Sequence, residues 1–138
     1  MSSKYNTLKN EGNLNNEIGV PLTLFRLDKT HEAAVIEMGM SGFDEISRMT
    51  KAVRPDVAII SNIGVSHIEK LGSREGILKA KLEILHGMKE NAPVILNGDD
   101  DMLVTVRPGA HPVIYYGIDN VNSFYKAFDI TSKENETE

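Results

Sequence analysis

Cysteine is absent from the 138-residue chain. Disulfides, thiolate metal sites and cysteine nucleophiles are thereby excluded, which suits a reducing, cytoplasmic setting. No apolar stretch approaches the roughly 20 residues that a bilayer-spanning helix needs, so a soluble protein without a membrane span is expected. The opening Met1-Ser2-Ser3-Lys4 carries no apolar core of a secretory signal. Positive charge is scarce as well. Lys and Arg number 15 against 20 Asp and Glu, the formal charge is -5, and no basic patch stands out, which argues against a nucleic-acid partner. A G-x-x-x-x-G-K-[S/T] phosphate loop is missing too, and Gly72-Ser73-Arg74-Glu75-Gly76 is no substitute because it lacks the Lys-Ser/Thr pair.

What is present reads as one globular domain. Hydrophobic residues make up 41% and charged residues 25%, both near the averages for soluble domains, and the length suffices to bury a core. Apolar runs alternate with helical patterns. Asn15-Asn16 caps a helix expected from Glu17 to Leu27, with Ile18, Leu22 and Phe25 on one face. A strand follows over Ala33–Glu37, then a helix opening at Ser41 or Asp44 and stopped near Val53 by Arg54-Pro55. The run Asp56–Asn62 is a second strand, Ser73 opens a longer helix to about Met88, and Pro93–Leu96 is a third strand. A short helix is expected in Asp99–Val106 and strands over Val113–Tyr116 and Ser123–Ile130, with 131–138 a frayed acidic tail. Strands separated by helices imply an α/β fold with a mostly parallel sheet. Because no helix separates the last two strands, a small antiparallel end to the sheet is expected.

The chemistry gathers at strand ends. In open α/β sheets, ligands sit beyond the carboxyl ends of the strands. There the first strand delivers Glu37, the second Asn62 and then His67, and the third Asn97-Gly98-Asp99-Asp100. A carboxylate buried at such a position suits Mg²⁺, which prefers oxygen ligands; a capping or salt-bridging carboxylate is the plainer alternative. His67 is read either as a ligand or as a structural hydrogen-bonding group. Asn97 and Asp99 are cofactor-contacting candidates, or, with Asp100, the members of an Asx turn and helix cap. Asn13, Asn15 and Asn16 offer amides to a polar ligand, or serve as cap and turn residues. Lys81 is the unusual charge, because at 100° per residue it falls within the stripe of Ile77, Leu78, Leu82, Leu85 and Met88. Partial burial there lowers an amine's pKa, and a neutral amine can act as a nucleophile or take up carbon dioxide as a carbamate. A lysine snorkelling to water is the alternative.

Four blocks carry a resemblance. Glu11–Leu24 (EGNLNNEIGVPLTL), Glu37–Ile46 (EMGMSGFDEI), Arg54–Leu71 (RPDVAIISNIGVSHIEKL) and Gly72–Leu85 (GSREGILKAKLEIL) resemble the central domain of the Mur ligases over nearly the whole chain. The resemblance is strongest to the branch that joins D-alanyl-D-alanine to UDP-N-acetylmuramoyl-tripeptide, using ATP and Mg²⁺, in peptidoglycan precursor synthesis. It implies that Glu37 is an acidic ligand of the Mg²⁺ between the ATP phosphates. It also implies that His67 and a carbamylated Lys81 serve a second Mg²⁺, and that Asn13, Asn15 and Asn16 lie near the UDP-muramoyl substrate. In that family ATP phosphorylates a carboxylate to an acyl phosphate, which the dipeptide amine converts to an amide.

The family's phosphate loop and its strand are expected immediately before Ser2, so the chain reads as a fragment of a central domain. Such a fragment is expected to bind nucleotide weakly or not at all, to have no ligase activity alone, and to expose sheet edges open to self-association. Two alternatives stand beside this reading. One is a non-catalytic module of the same fold that binds a nucleotide sugar or a protein; the other is a piece of a related folylpolyglutamate or cyanophycin-type ligase.

Overall fold

The computed structural model describes residues 1–130, and the expected acidic tail 131–138 lies outside them. Six strands and four α-helices follow one another in chain order: β1 (Thr7–Lys9), α1 (Gly19–Leu24), β2 (Ala33–Val35), α2 (Glu45–Val53), β3 (Ala58–Ile60), α3 (Ile68–Leu71), α4 (Arg74–Leu82), β4 (Val94–Asn97), β5 (Val113–Gly117) and β6 (Tyr125–Lys126). Two 3₁₀ segments, Glu83–Gly87 and Leu103–Thr105, complete the inventory. Among the described residues, no helix is long and apolar enough to cross a membrane.

Among the described residues every strand pairing is parallel. β1 pairs with β2, and a second sheet runs in the order β3-β4-β5-β6. The apolar runs behave as strands of a parallel sheet covered by helices must, with little alternation. Val94 and Leu96 of β4 are fully buried, packed with Ala58 and Ile60 of β3 and with Ile77 and Ala80 of α4. A smaller cluster of Val20, Ile46 and Met49 joins α1 to α2. Met40 and Ile84 pack against both clusters.

The expected α/β class and the main elements are present, with four corrections. First, β5 and β6 are parallel, with Tyr116 opposite Tyr125. The antiparallel ending is ruled out because Asp99 gathers the N–H groups of Ile118, Asp119 and Asn120 and folds the connection back over the strand ends. Second, the expected strand Ser123–Ile130 contracts to Tyr125–Lys126. Third, α1 turns a different face inward: Gly19, Val20 and Thr23 are buried, whereas Ile18, Leu22 and Phe25 are exposed. Gly19 explains this, because a Cβ there would meet the Leu14 backbone at 2.5 Å, so only glycine lets the helix approach by that side. Fourth, the helix expected to run to Met88 ends at Leu82 and tightens into the 3₁₀ segment. β1, which sequence pattern does not announce, forms in the polar N-terminal stretch around the buried Leu8.

Candidate functional site

The loop after β3 is the most tightly held part of the site. Ile63 is buried and anchors it. From α4, Lys81 donates through Nζ to the Asn62 carbonyl at 2.7 Å, and Arg74 donates to the Ile63 carbonyl through Nε at 3.2 Å and Nη2 at 3.0 Å. From the loop after β4, Asp100 accepts the Ile63 N–H at 2.7 Å with one oxygen and the N–H groups of Met102 and Leu103 with the other. Arg74 is itself paired with Asp101 at 2.6 Å. One short stretch of backbone is thus gripped by three charged side chains, and the ends of β3 and β4 are locked together. Asp100 belongs to the strand-end run that the sequence offers as a cap, and it does accept the Met102 and Leu103 N–H groups; Arg74 is not marked by sequence pattern, since it binds a backbone peptide.

Lys81 occupies the apolar side of α4, as the spacing predicts; Ile77 is buried, and Leu78, Leu82, Leu85 and Met88 pack against the main core. Burial holds its amine below the ordinary lysine range, while the nearby Asp100 pulls in the opposite direction. Its hydrogen bond to Asn62 directs it to the carboxyl end of β3. His67 lies just beyond, exposed, with φ at 65°, and its left-handed backbone opens α3.

Glu37 comes from the other sheet, two residues past β2, and it is exposed, not buried as expected. The short β2 ends at Val35 and leaves Glu37 in the following loop. Asn15 donates to its Oε1 at 3.0 Å, and Asn10 holds its backbone. The three asparagines divide their work. Asn16 caps α1, its Oδ1 accepting the N–H groups of Ile18 and Gly19. Asn15 serves Glu37, whereas Asn13 is exposed and its side chain makes no hydrogen bond among the described residues.

At the end of β4, Asn97 accepts the Asp99 N–H at 3.0 Å in an Asx turn. The bonds from Ile118, Asn120 and Asp119 hold the Asp99 carboxyl below the usual range. Both side chains are committed to the fold, and beside them opens a cavity of about 730 Å³ lined by Tyr116, Phe124, Tyr125 and Lys126.

Among the described residues no group of three or more His, Asp or Glu side chains converges as a metal cage. Mg²⁺ does not demand one, since it takes one or two carboxylates and completes its shell with water and phosphate oxygens. Glu37 offers the hard oxygen such an ion requires, so the donor chemistry fits a phosphate-bridged ion and not one enclosed by protein alone.

Known proteins share this fold. Residues 1–138 match the family model described as the Mur ligase middle domain. The chain is 48% identical over 103 residues to the UDP-N-acetylmuramoyl-tripeptide--D-alanyl-D-alanine ligase of Bacillus subtilis, covering 75% of this chain and 22% of that protein. It is 45% identical over 96 residues to the enzyme of the same name from Escherichia coli, covering 70% and 21%. MurF from Acinetobacter baumannii superposes with a TM-score of 0.79 at 38% identity, over 84% of this chain and 26% of that one. MurF from Thermotoga maritima in complex with ADP does so with a TM-score of 0.78 at 34% identity, over 86% and 28%. The chain spans about a fifth of the length of the curated relatives it matches.

Proposed function

Because the chain belongs to the Mur ligase family, matching its middle domain from residue 1 to residue 138, we propose that it is part of the ATP-dependent ligase joining D-alanyl-D-alanine to UDP-N-acetylmuramoyl-tripeptide. The observation that carries this reading is Lys81, an amine kept on the apolar side of α4, lowered in pKa by burial and held at the carboxyl end of β3. Its neutral form is the one that adds carbon dioxide, and the resulting carbamate exchanges a cation for anionic oxygens. A relative solved in complex with ADP supports a nucleotide-dependent reaction.

In the proposed reaction the γ-phosphoryl group of ATP passes to the tripeptide's terminal carboxylate, the β–γ phosphate bond breaks, and ADP leaves. The dipeptide amine then attacks the acyl carbon and loses a proton, and phosphate departs as the amide forms. Mg²⁺ held through Glu37, and a second ion served by His67 and the Lys81 carbamate, would neutralise charge on the phosphoryl and acyl oxygens. The chain's own contribution is positioning. Arg74, Asp100 and Lys81 fix the Asn62–Ile63 backbone that leads to His67, and Asn13 offers its amide to the muramoyl substrate. Asn97 and Asp99 shape the cavity wall that faces the nucleotide. Since the reaction consumes ATP, we place it in the cytoplasm.

The Lys81 assignment is tested by ¹³C NMR of the purified chain in ¹³C-bicarbonate. A carbamate carbon signal that disappears in Lys81→Arg is expected. A spectrum identical for the two proteins contradicts the assignment.

A further inference from the structure

We propose that Asn10 and Asn15 are positioning residues for Glu37, the first fixing its backbone and the second its carboxylate; the role rests on the reading of Glu37 as an ion ligand. β1 and β2 pair through their backbones as far as Lys9 and Val35. Immediately beyond, the Asn10 side chain takes over the ladder. Its Oδ1 accepts the Glu37 N–H at 2.7 Å and its Nδ2 donates to the Glu37 carbonyl at 3.3 Å. The same Nδ2 donates to the Leu14 carbonyl at 2.5 Å, which ties the 10–16 loop to this frame. The amide's orientation is dictated by its partners, because an N–H requires the oxygen and two carbonyls require the NH₂ group.

Asn15 completes the device from the other end of the loop. Its side chain donates to Glu37 Oε1 at 3.0 Å, and its backbone carbonyl accepts the Gly39 N–H at 2.7 Å. Gly39 makes the room: a Cβ there would lie 3.1 to 3.2 Å from the Asn15 amide atoms. With Oε1 engaged, the carboxylate has a defined direction, and its second oxygen, without a hydrogen bond among the described residues, would be the one left for an ion. Partners of this kind orient a metal ligand and are worth about tenfold or more in affinity. Asn15 therefore acts on the ion through Glu37, and Asn10, which local pattern passes over, acts beside it.

The test is Mn²⁺ together with ATP, which supplies the phosphate oxygens that complete the ion's shell, added to the ¹⁵N-labelled chain and followed by paramagnetic broadening of backbone amides, which registers weak as well as tight binding. Broadening centred on Glu37–Gly39 is expected in the wild type and lost in Glu37→Gln. Asn10→Ala, Asn15→Ala and the like-charged Asn15→Asp are each expected to need about tenfold more Mn²⁺ for the same effect. Gly39→Ala, which displaces the Asn15 amide without removing it, is expected to show the same direction of change. The Asn15 to Gly39 backbone bond survives every side-chain change at Asn15, and an unaltered amide spectrum elsewhere in the molecule certifies the fold. Asparagine variants that match the wild type while Glu37→Gln loses binding overturn the proposal alone. A wild type without broadening there, or Glu37→Gln indistinguishable from it, overturns the reading of Glu37 as a ligand and the proposal with it.

Discussion

Several residues of the site are held in conformations or environments that cost free energy, and His67 is the clearest. Its φ of 65° lies in the left-handed region, which costs an L-residue with a Cβ about 1 kcal/mol and a β-branched one more. His67→Gly relieves that strain but gains freedom in the unfolded chain, so the two should nearly cancel, leaving stability within about 0.5 kcal/mol of wild type. His67→Val should lose about 1 to 2 kcal/mol. Urea midpoints separate the outcomes, and equal losses in both variants would contradict the backbone account. At this scale the sequence was informative wherever a residue broke its local pattern. Lys81 on an apolar stripe and Glu37 at a strand end were legible for that reason. Asn10 and Arg74 were not, because their partners are backbone groups 27 and 11 residues away, and no local periodicity records a side chain that binds a distant peptide.

At the scale of elements, α2 shows how a local signal can name the right helix for the wrong reason. Asp44 stands at its N-terminus, as expected of a capping residue, yet it adopts the left-handed conformation and its side chain caps nothing. The cap comes from Glu83, only 6% exposed, whose carboxylate accepts the N–H of Asp44 at 2.7 Å and of Ser47 at 3.2 Å. The negative charge also lies at the positive end of the helix dipole. Glu83→Ala strands both donors and should cost about 1 to 3 kcal/mol; Glu83→Gln, which keeps an acceptor oxygen, should cost less. Chemical denaturation measures both, and a loss below about 0.5 kcal/mol for the alanine variant would show that water replaces the cap. The strands divide along similar lines. β2, β3, β4 and β5 are legible as apolar runs and β6 lies within the strand expected over Ser123–Ile130, whereas β1 owes its existence to pairing with β2. The parallel direction of β6 follows from the Asp99 latch, another contact between positions about 20 residues apart in sequence.

At the scale of the molecule, two parallel sheets present polar groups beyond their strand ends and share a core through Met40 and Ile84. Fold class was legible from the alternation of apolar runs and helical stripes, and the family from four blocks in order. The division into two sheets was not, since it depends on which strands find partners. Val35 of β2 and Ile59 of β3 remain about half exposed or more, at 49% and 61%, an amount of open apolar surface that suits burial in a larger assembly. The central claim is that this segment performs the middle-domain work of a D-alanyl-D-alanine-adding ligase. It is tested most directly by exchanging residues 1–130 for the matching segment of the Bacillus subtilis relative and measuring amide formation from ATP, D-alanyl-D-alanine and UDP-N-acetylmuramoyl-tripeptide. The account predicts a working chimaera whose activity falls at least a hundredfold with Glu37→Ala; a folded chimaera without activity, or one indifferent to Glu37, would contradict it.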